Sequence, residues 1–175
     1  RNALNVAFNG EGSECVLNGL YLNGDDRLID NALTVDHARP QCTSRIKYKG
    51  VLDGHSRSVF TGGVLVREHA RKTDSNQINS NILLSDQAQI NTKPQLKIFN
   101  DDVKCTHGAT IGPPPRDMLF YFQSRAIDEI TAIGMLTCGF ARDVTKDITI
   151  AALRERIDRA IIRAYGPAHG VAGKR

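Results

Sequence analysis

From the N-terminus to about Gly112, apolar and polar residues alternate in short runs broken by Gly, Asn and Asp, the spacing of strands rather than of helices. Residues 3–8, 15–22, 32–35, 45–48, 58–60, 64–66, 81–84 and 95–99 carry the pattern, and no amphipathic helix interrupts them. Asn-Gly pairs at Asn9, Asn18 and Asn23 read as two-residue turns, but such signals stop before the middle of the chain. Beyond them, residues 66–74, 84–92 and 103–107 can be laid over one another so that Ala70, Ala88 and Val103 coincide, at offsets of 18 and 15 residues. So short a repeat has no room for a helix and suits stacked coils of parallel strands. An antiparallel sandwich fits the periodicity equally well. On the solenoid reading, Thr73, Asn76, Asn79, Asn81, Asn91 and Thr92 fall at corners, where Asn tolerates left-handed backbone. Val59, Leu65, Leu83, Ile90, Leu96 and Ile98 are expected to face the core.

Prolines 113–115 mark a boundary, because proline gives no N–H to a sheet ladder. Helical spacing follows over residues 116–124, 128–141 and 148–165. In the last of these, Ile150, Leu153, Ile157, Ile161 and Ala164 fall on one face and Arg154, Glu155, Asp158, Arg159 and Arg163 on the other. The chain thus divides into a strand-rich core (1–112), a small helical subdomain (113–165) and a Gly-containing end (166–175) expected to be a flexible tail that includes His169.

Composition narrows the function. With 41% hydrophobic and 24% charged residues the 175-residue chain has the balance of a globular protein, and its longest clean apolar run, 118–122, is far short of a membrane span of about 20 residues. A net charge of +4 with scattered Lys and Arg gives little support to nucleic-acid binding. Cys15, Cys42, Cys105 and Cys138 are well separated, which suits a reducing compartment, and no Asn-x-Ser/Thr site occurs. The start at Arg1 reads as that of a fragment or processed product.

Catalytic signatures are missing: no nucleotide-binding GxxxxGK[ST], no GxSxG and no HExxH, while Gly10-Glu11-Gly12 meets Cys15 where a third glycine belongs. Asp25-Asp26 and Asp101-Asp102 evoke the carboxylate pairs of solenoid enzymes that cleave polysaccharides. Adjacent strand residues point to opposite faces, however, so turn positions are the better reading. The low aromatic content and the lack of Trp also weigh against a carbohydrate enzyme.

Cys105-Thr106-His107 is the most suggestive group. A thiolate and an imidazole at i and i+2 share one side of a strand and suit a soft or borderline metal. A small buried thiol beside a loop histidine is the structural alternative, and two ligands do not close a site. Cys15, Cys42 and Cys138 read as packing thiols, and His37, His55 and His69 as turn residues.

Residues 48–54 (YKGVLDG), 57–62 (RSVFTG) and 101–110 (DDVKCTHGAT) resemble the signature blocks of the SufD branch of the SufB/SufD family, which belongs to the SUF system of iron-sulfur cluster assembly. The likeness continues through 72–74, 91–96 and 119–122, and covers about 30–165. It implies a right-handed parallel β-helix followed by C-terminal helices. It also implies a non-catalytic scaffold that pairs with SufB through the β-helix and binds the SufC ATPase through the helices, with a homodimer in isolation. His107, with Cys105 beside it, matches the family's histidine implicated in a transient iron-sulfur cluster at the SufB–SufD junction, where SufB supplies further ligands. Arg154 and Arg159 are expected to face SufC. The sister SufB-like subunit is the nearest rival; its chains carry a Glu-rich version of the 101–108 block. The resemblance places the protein in bacterial cytoplasm, or in the plastid stroma of a plant or alga. The family's glycine after Ser-Arg is Ala126 here, prolines 113–115 replace a looser linker, and 166–175 match nothing.

Overall fold

A computed structural model describes residues 1–166. Eight strands come first: β1 (Asn2–Phe8), β2 (Glu14–Asn23), β3 (Leu28–His37), β4 (Thr43–Leu52), β5 (Arg57–Val66), β6 (Asp74–Leu83), β7 (Gln89–Ile98) and β8 (Lys104–Gly112). They form two four-stranded sheets, ordered β1-β3-β5-β7 and β2-β4-β6-β8, and every pairing is parallel. The chain is therefore a β-solenoid whose coils each give one strand to each sheet, and the sandwich alternative fails on strand direction.

Asn2 pairs with Asn31 and Leu28 with Arg57, a step of 29 residues, whereas Thr43 pairs with Asp74 and Arg57 with Gln89, steps of 31 and 32. The offsets of 18 and 15 read from sequence are half-coils. Ala70 and Ala88 are buried at successive corners, and Val103 packs at the next. The Asn18-Gly19 pair is no turn but lies within β2.

Two clusters fill the space between the sheets, one around Phe8, Leu33, Val35, Ile46, Val64 and Val66, the other around Tyr21, Leu52 and Ala88. Leu83, Ile90 and Leu96 pack against them as expected. Val59 and Leu65 do not: the inward side of β5 is Ser58, Phe60, Gly62, Val64 and Val66. Ile98 pairs with buried Val66 but is 40% exposed, since β7 is the last strand of its sheet.

Of the polar residues expected at corners, Asn79, Asn81 and Thr92 turn inward within strands, and Asn76 and Asn91 take outward strand positions. Ser75, Gln77, Asn79 and Asn81 are the buried, alternate positions of β6. The Tyr21 hydroxyl donates to Asn81 Oδ1 and accepts from Asn79 Nδ2 at 3.2 Å, and Asn81 Nδ2 donates to Asn79 Oδ1 at 2.9 Å. Of that group Thr73 alone behaves as a buried corner residue, its hydroxyl donating to the Ala70 carbonyl at 2.8 Å. Glycines make room for the rings: a Cβ on Gly19 would run into Tyr48, and one on Gly50 into Tyr21. Gly19 and Tyr48 are register partners, as are Tyr21 and Gly50.

Three helices follow, α1 (Arg116–Gln123), α2 (Glu129–Thr145) and α3 (Ala151–Tyr165). Ala126, between α1 and α2, has φ 58°. That left-handed conformation favours glycine, in line with the glycine that the resemblance leads one to expect there. Asp128 caps α2, accepting from the Thr131 N–H at 2.9 Å.

Helices α2 and α3 rest on the outer face of the β2-β4 sheet, where Cys138, Ala141 and Ile161 meet Leu20 and Leu22. Beside this contact Lys49 Nζ reaches Asp143 at 2.9 Å, donates to the Phe140 carbonyl at 3.2 Å and lies 4.3 Å from that ring's centroid. Hydrogen bonds from Lys146 and then Lys49 hold the Asp143 carboxyl well below its ordinary range.

The packed face of α3 differs from the expected stripe. Ile157 and Ile161 face inward, but Leu153 and Ile150 are exposed, and Asp158 turns in to accept from Thr145 Oγ1 at 2.7 Å and Arg142 Nε at 3.1 Å. All but the first residue of the expected 166–175 tail, His169 included, lies outside the described residues.

Candidate functional site at the open end of the solenoid

Strands β7 and β8 are the last of their sheets, so each leaves one edge unpaired among the described residues. The two edges are not equivalent. The N–H groups of Gln89 and Phe99 point back toward the preceding coil, to Ser56 O and Val66 O, so the even-numbered residues between them aim N–H at the free edge. Pro94 is one of these and has no N–H to offer. In β8 the Lys104 N–H bonds Thr73 O, which leaves Cys105, His107, Ala109 and Ile111 to present an uninterrupted row of N–H and C=O groups.

Those four residues also share the inner face, since they pair with Ser75, Gln77, Asn79 and Asn81. The i, i+2 logic for Cys105 and His107 therefore holds, with both side chains on one face of one edge strand. They differ in exposure. Cys105 is half-buried against the core cluster and His107 is exposed at the rim. Burial pushes the Cys105 thiol up, the Ser75 backbone N–H opposing it and the Asp74 carboxylate adding to it. No group of three or more His, Cys, Asp or Glu able to hold a metal occurs among the described residues, so Cys105 and His107 do not form a closed site by themselves.

The other singled-out residues lie elsewhere. Asp25-Asp26 and Asp101-Asp102 are in corner turns, as expected. Cys42 and Cys138 are buried, and Cys15 faces inward on the same rung as Ser44, Ser75 and Cys105. His55 and His69 sit in exposed corners, His55 Nδ1 lying 3.7 Å from Asp26. Arg159 is exposed on α3, whereas Arg154 is half-buried, Nη1 donating to the Ile148 carbonyl at 3.5 Å. Sequence reasoning misplaced His37, read there as a turn residue but buried at the end of β3. It also missed Gln77, which lies beside His107 on the neighbouring strand. A polar residue at the parity of a buried strand position was the available signal for Gln77.

Around α1 the surface is apolar: Phe120 is 72% exposed, and Met118, Tyr121 and Ile130 are exposed with it. No helix among the described residues is long and apolar enough to cross a membrane.

Comparison with known proteins agrees with this architecture. Residues 1–140 match the family described as SUF system FeS cluster assembly, SufBD core domain. The chain is 34% identical over 157 residues to the iron-sulfur cluster assembly protein SufD of Escherichia coli, covering 90% of this chain and 37% of that protein. It is 34% identical over 169 residues to a SufBD family protein of Mycobacterium leprae, covering 92% of this chain and 43% of that one. A chloroplastic relative, protein ABCI7 of Arabidopsis thaliana, is 36% identical over 129 residues, covering 73% of this chain and 27% of the relative. The chain thus spans well under half the length of these relatives. On the family match and these identities, the chain belongs to the SufBD family of iron-sulfur cluster assembly proteins.

Proposed function

We propose that this chain is a SufD-like, non-catalytic scaffold subunit whose cargo is a nascent iron-sulfur cluster held at the open end of the solenoid. The observation that carries the reading is the placement of Cys105 and His107 on one inner face of β8, at an edge whose backbone is free to pair. Thiolate and imidazole both ligate iron in clusters, and an imidazole releases metal on protonation more readily than a carboxylate cage would, which suits a product that must be handed on.

Two ligands require a partner. Strand addition along β8, whose row of N–H groups is unbroken, would bring a SufB strand and its cysteine against the same face. In the absence of SufB the same edge suits a second copy of this chain, giving a homodimer. Likeness to the E. coli SufD supports the SufD-like over the SufB-like reading. The exposed apolar residues of α1 and α2, together with Arg159 on α3, suit the SufC ATPase as the partner of the helical end. The corresponding compartment is bacterial cytoplasm, or the plastid stroma for a plant or alga, as the chloroplastic relative suggests.

The test is cluster assembly in a complex with SufB and SufC. His107→Ala should abolish bound iron and acid-labile sulfide while the three subunits still copurify and ATP is still hydrolysed. Full cluster content in that complex would remove His107 from the mechanism.

A further inference from the structure

Beneath the rim, β6 presents an inner layer in which Ser75, Asn79 and Asn81 are all hydrogen-bonded. In Gln77 only the nitrogen is bonded. It is fully buried, and its Nε2 donates to the Gly62 carbonyl at 3.2 Å. A carbonyl can only accept, so the amide must turn its NH2 toward Gly62, which fixes where Oε1 points. That oxygen is buried and has no partner among the described residues. Gly62 makes the arrangement possible, because a Cβ there would run into the Gln77 amide. Buried carbonyls without partners are rare and unfavourable, so one kept in place by a dedicated hydrogen bond and a glycine calls for an explanation.

Its neighbour supplies one. Gln77 is the register partner of His107, on the adjacent strand and the same inner face, at a strand spacing of about 4.8 Å. Histidines that ligate metal generally donate their second ring N–H to a carbonyl or carboxylate, which fixes both the tautomer and the ring orientation. Nδ1 is the ring nitrogen nearer the backbone, so a hydrogen bond made there leaves Nε2, at the outer end of the ring, for a metal.

We infer that Gln77 is a positioning residue for His107: its amide oxygen accepts the Nδ1–H when the imidazole ligates metal, so that Nε2 is the ligating nitrogen. The inference rests on the reading of His107 as a ligand and adds which nitrogen binds and what holds the ring.

Zinc(II) added to the intact chain is the probe. Affinity is measured by competition with a chromophoric chelator, and the His107 ring nitrogens are followed by 15N NMR. Zinc should bind through Nε2 with Nδ1–H retained. Gln77→Met, which keeps the length but loses the acceptor, should weaken zinc about tenfold to a hundredfold, the range for lost outer-shell partners. Gln77→Glu restores an acceptor but cannot donate to Gly62, and it should bind zinc within a few-fold of the parent. A merely structural role through the Gly62 bond would instead weaken both variants alike. Unchanged zinc affinity in Gln77→Met would overturn the inference. So would zinc on Nδ1 in the parent chain, a result that needs no variant to fold. No zinc at His107 at all, with His107→Ala indistinguishable from the parent, would sink the ligand reading itself and this inference with it.

Discussion

His37 closes the inner face of β3 with no exposure to solvent, its ring 4.7 Å from that of Phe8 and its Nε2 2.9 Å from Ser44 Oγ. Burial lowers its pKa from 6.5 to about 4, with Asp36 pulling weakly the other way. The unfolded chain therefore binds a proton at this residue at pH values where the folded chain does not, and stability must rise with pH across that window. The contribution is complete above about pH 6.5, shrinks as pH falls toward 4 and is gone below it. Between pH 7 and pH 4.5 the two titrations differ by ~2.5 kcal/mol, a large fraction of a typical folding free energy. His37→Gln keeps a side chain able to bond Ser44 but removes the titration. The assay is urea unfolding followed by circular dichroism at pH 7, 6, 5 and 4.5 on both proteins. Every other carboxylate and histidine titrates in both, so the difference between their slopes isolates His37. The parent should lose ~2.5 kcal/mol more than the variant over this range. Parallel pH profiles would show that the imidazole is hydrated in the folded state, and the reasoning from burial would fail.

Two further outcomes test the register and the helical end. Phe60→Ala should lower stability by about 3 to 5 kcal/mol in chemical denaturation, whereas Leu65→Ala, on the outer side of the same strand, should cost well under half of that, and equal costs would mean that the strand is turned over. Arg159→Glu should weaken SufC binding measured by calorimetry and leave the thermal midpoint within a few degrees, since the side chain is exposed; Arg154→Glu should lower the midpoint as well, through its contact with the Ile148 carbonyl.

Much of the fold was legible because strands, corners and helices obey different local rules. Alternation marked the strands, prolines 113–115 lay just ahead of α1, and the helical intervals located all three helices to within a few residues. What alternation could not give was which side faced in. Val59 and Leu65 lie on the outer side of β5, while its inward side includes small and polar residues such as Ser58 and Gly62, so hydrophobicity alone does not mark the inward face. The asparagines of β6 misled for a related reason: their turn preference is an isolated-chain property, and a stack of coils offers them hydrogen-bonding partners inside. The α3 stripe was misjudged because Asp158 finds Arg142 and Thr145 on the neighbouring helix, a partnership no single-helix pattern contains. At the site, the shared face of Cys105 and His107 followed from spacing alone. Their position on the edge strand, and Gln77 beside them, required the order of the coils.

The glycine-for-tyrosine exchange between neighbouring coils bears on how such a stack avoids misassembly. Parallel coils offer nearly identical rungs, and a slip of two residues would preserve the inward parity of every side chain, so parity alone cannot reject it. The rings can. Tyr48 fits only over Gly19, and Tyr21 only over Gly50. A two-residue slip in either direction would bring a ring onto a side chain that has no gap for it, or set Tyr21 and Tyr48 against each other. The pair thus acts as a key cut at two positions in opposite sense, which turns a sliding contact into a single seated one. The corners, whose lengths already vary enough to stretch the coil from 29 to 32 residues, remain free to absorb insertions without unseating it.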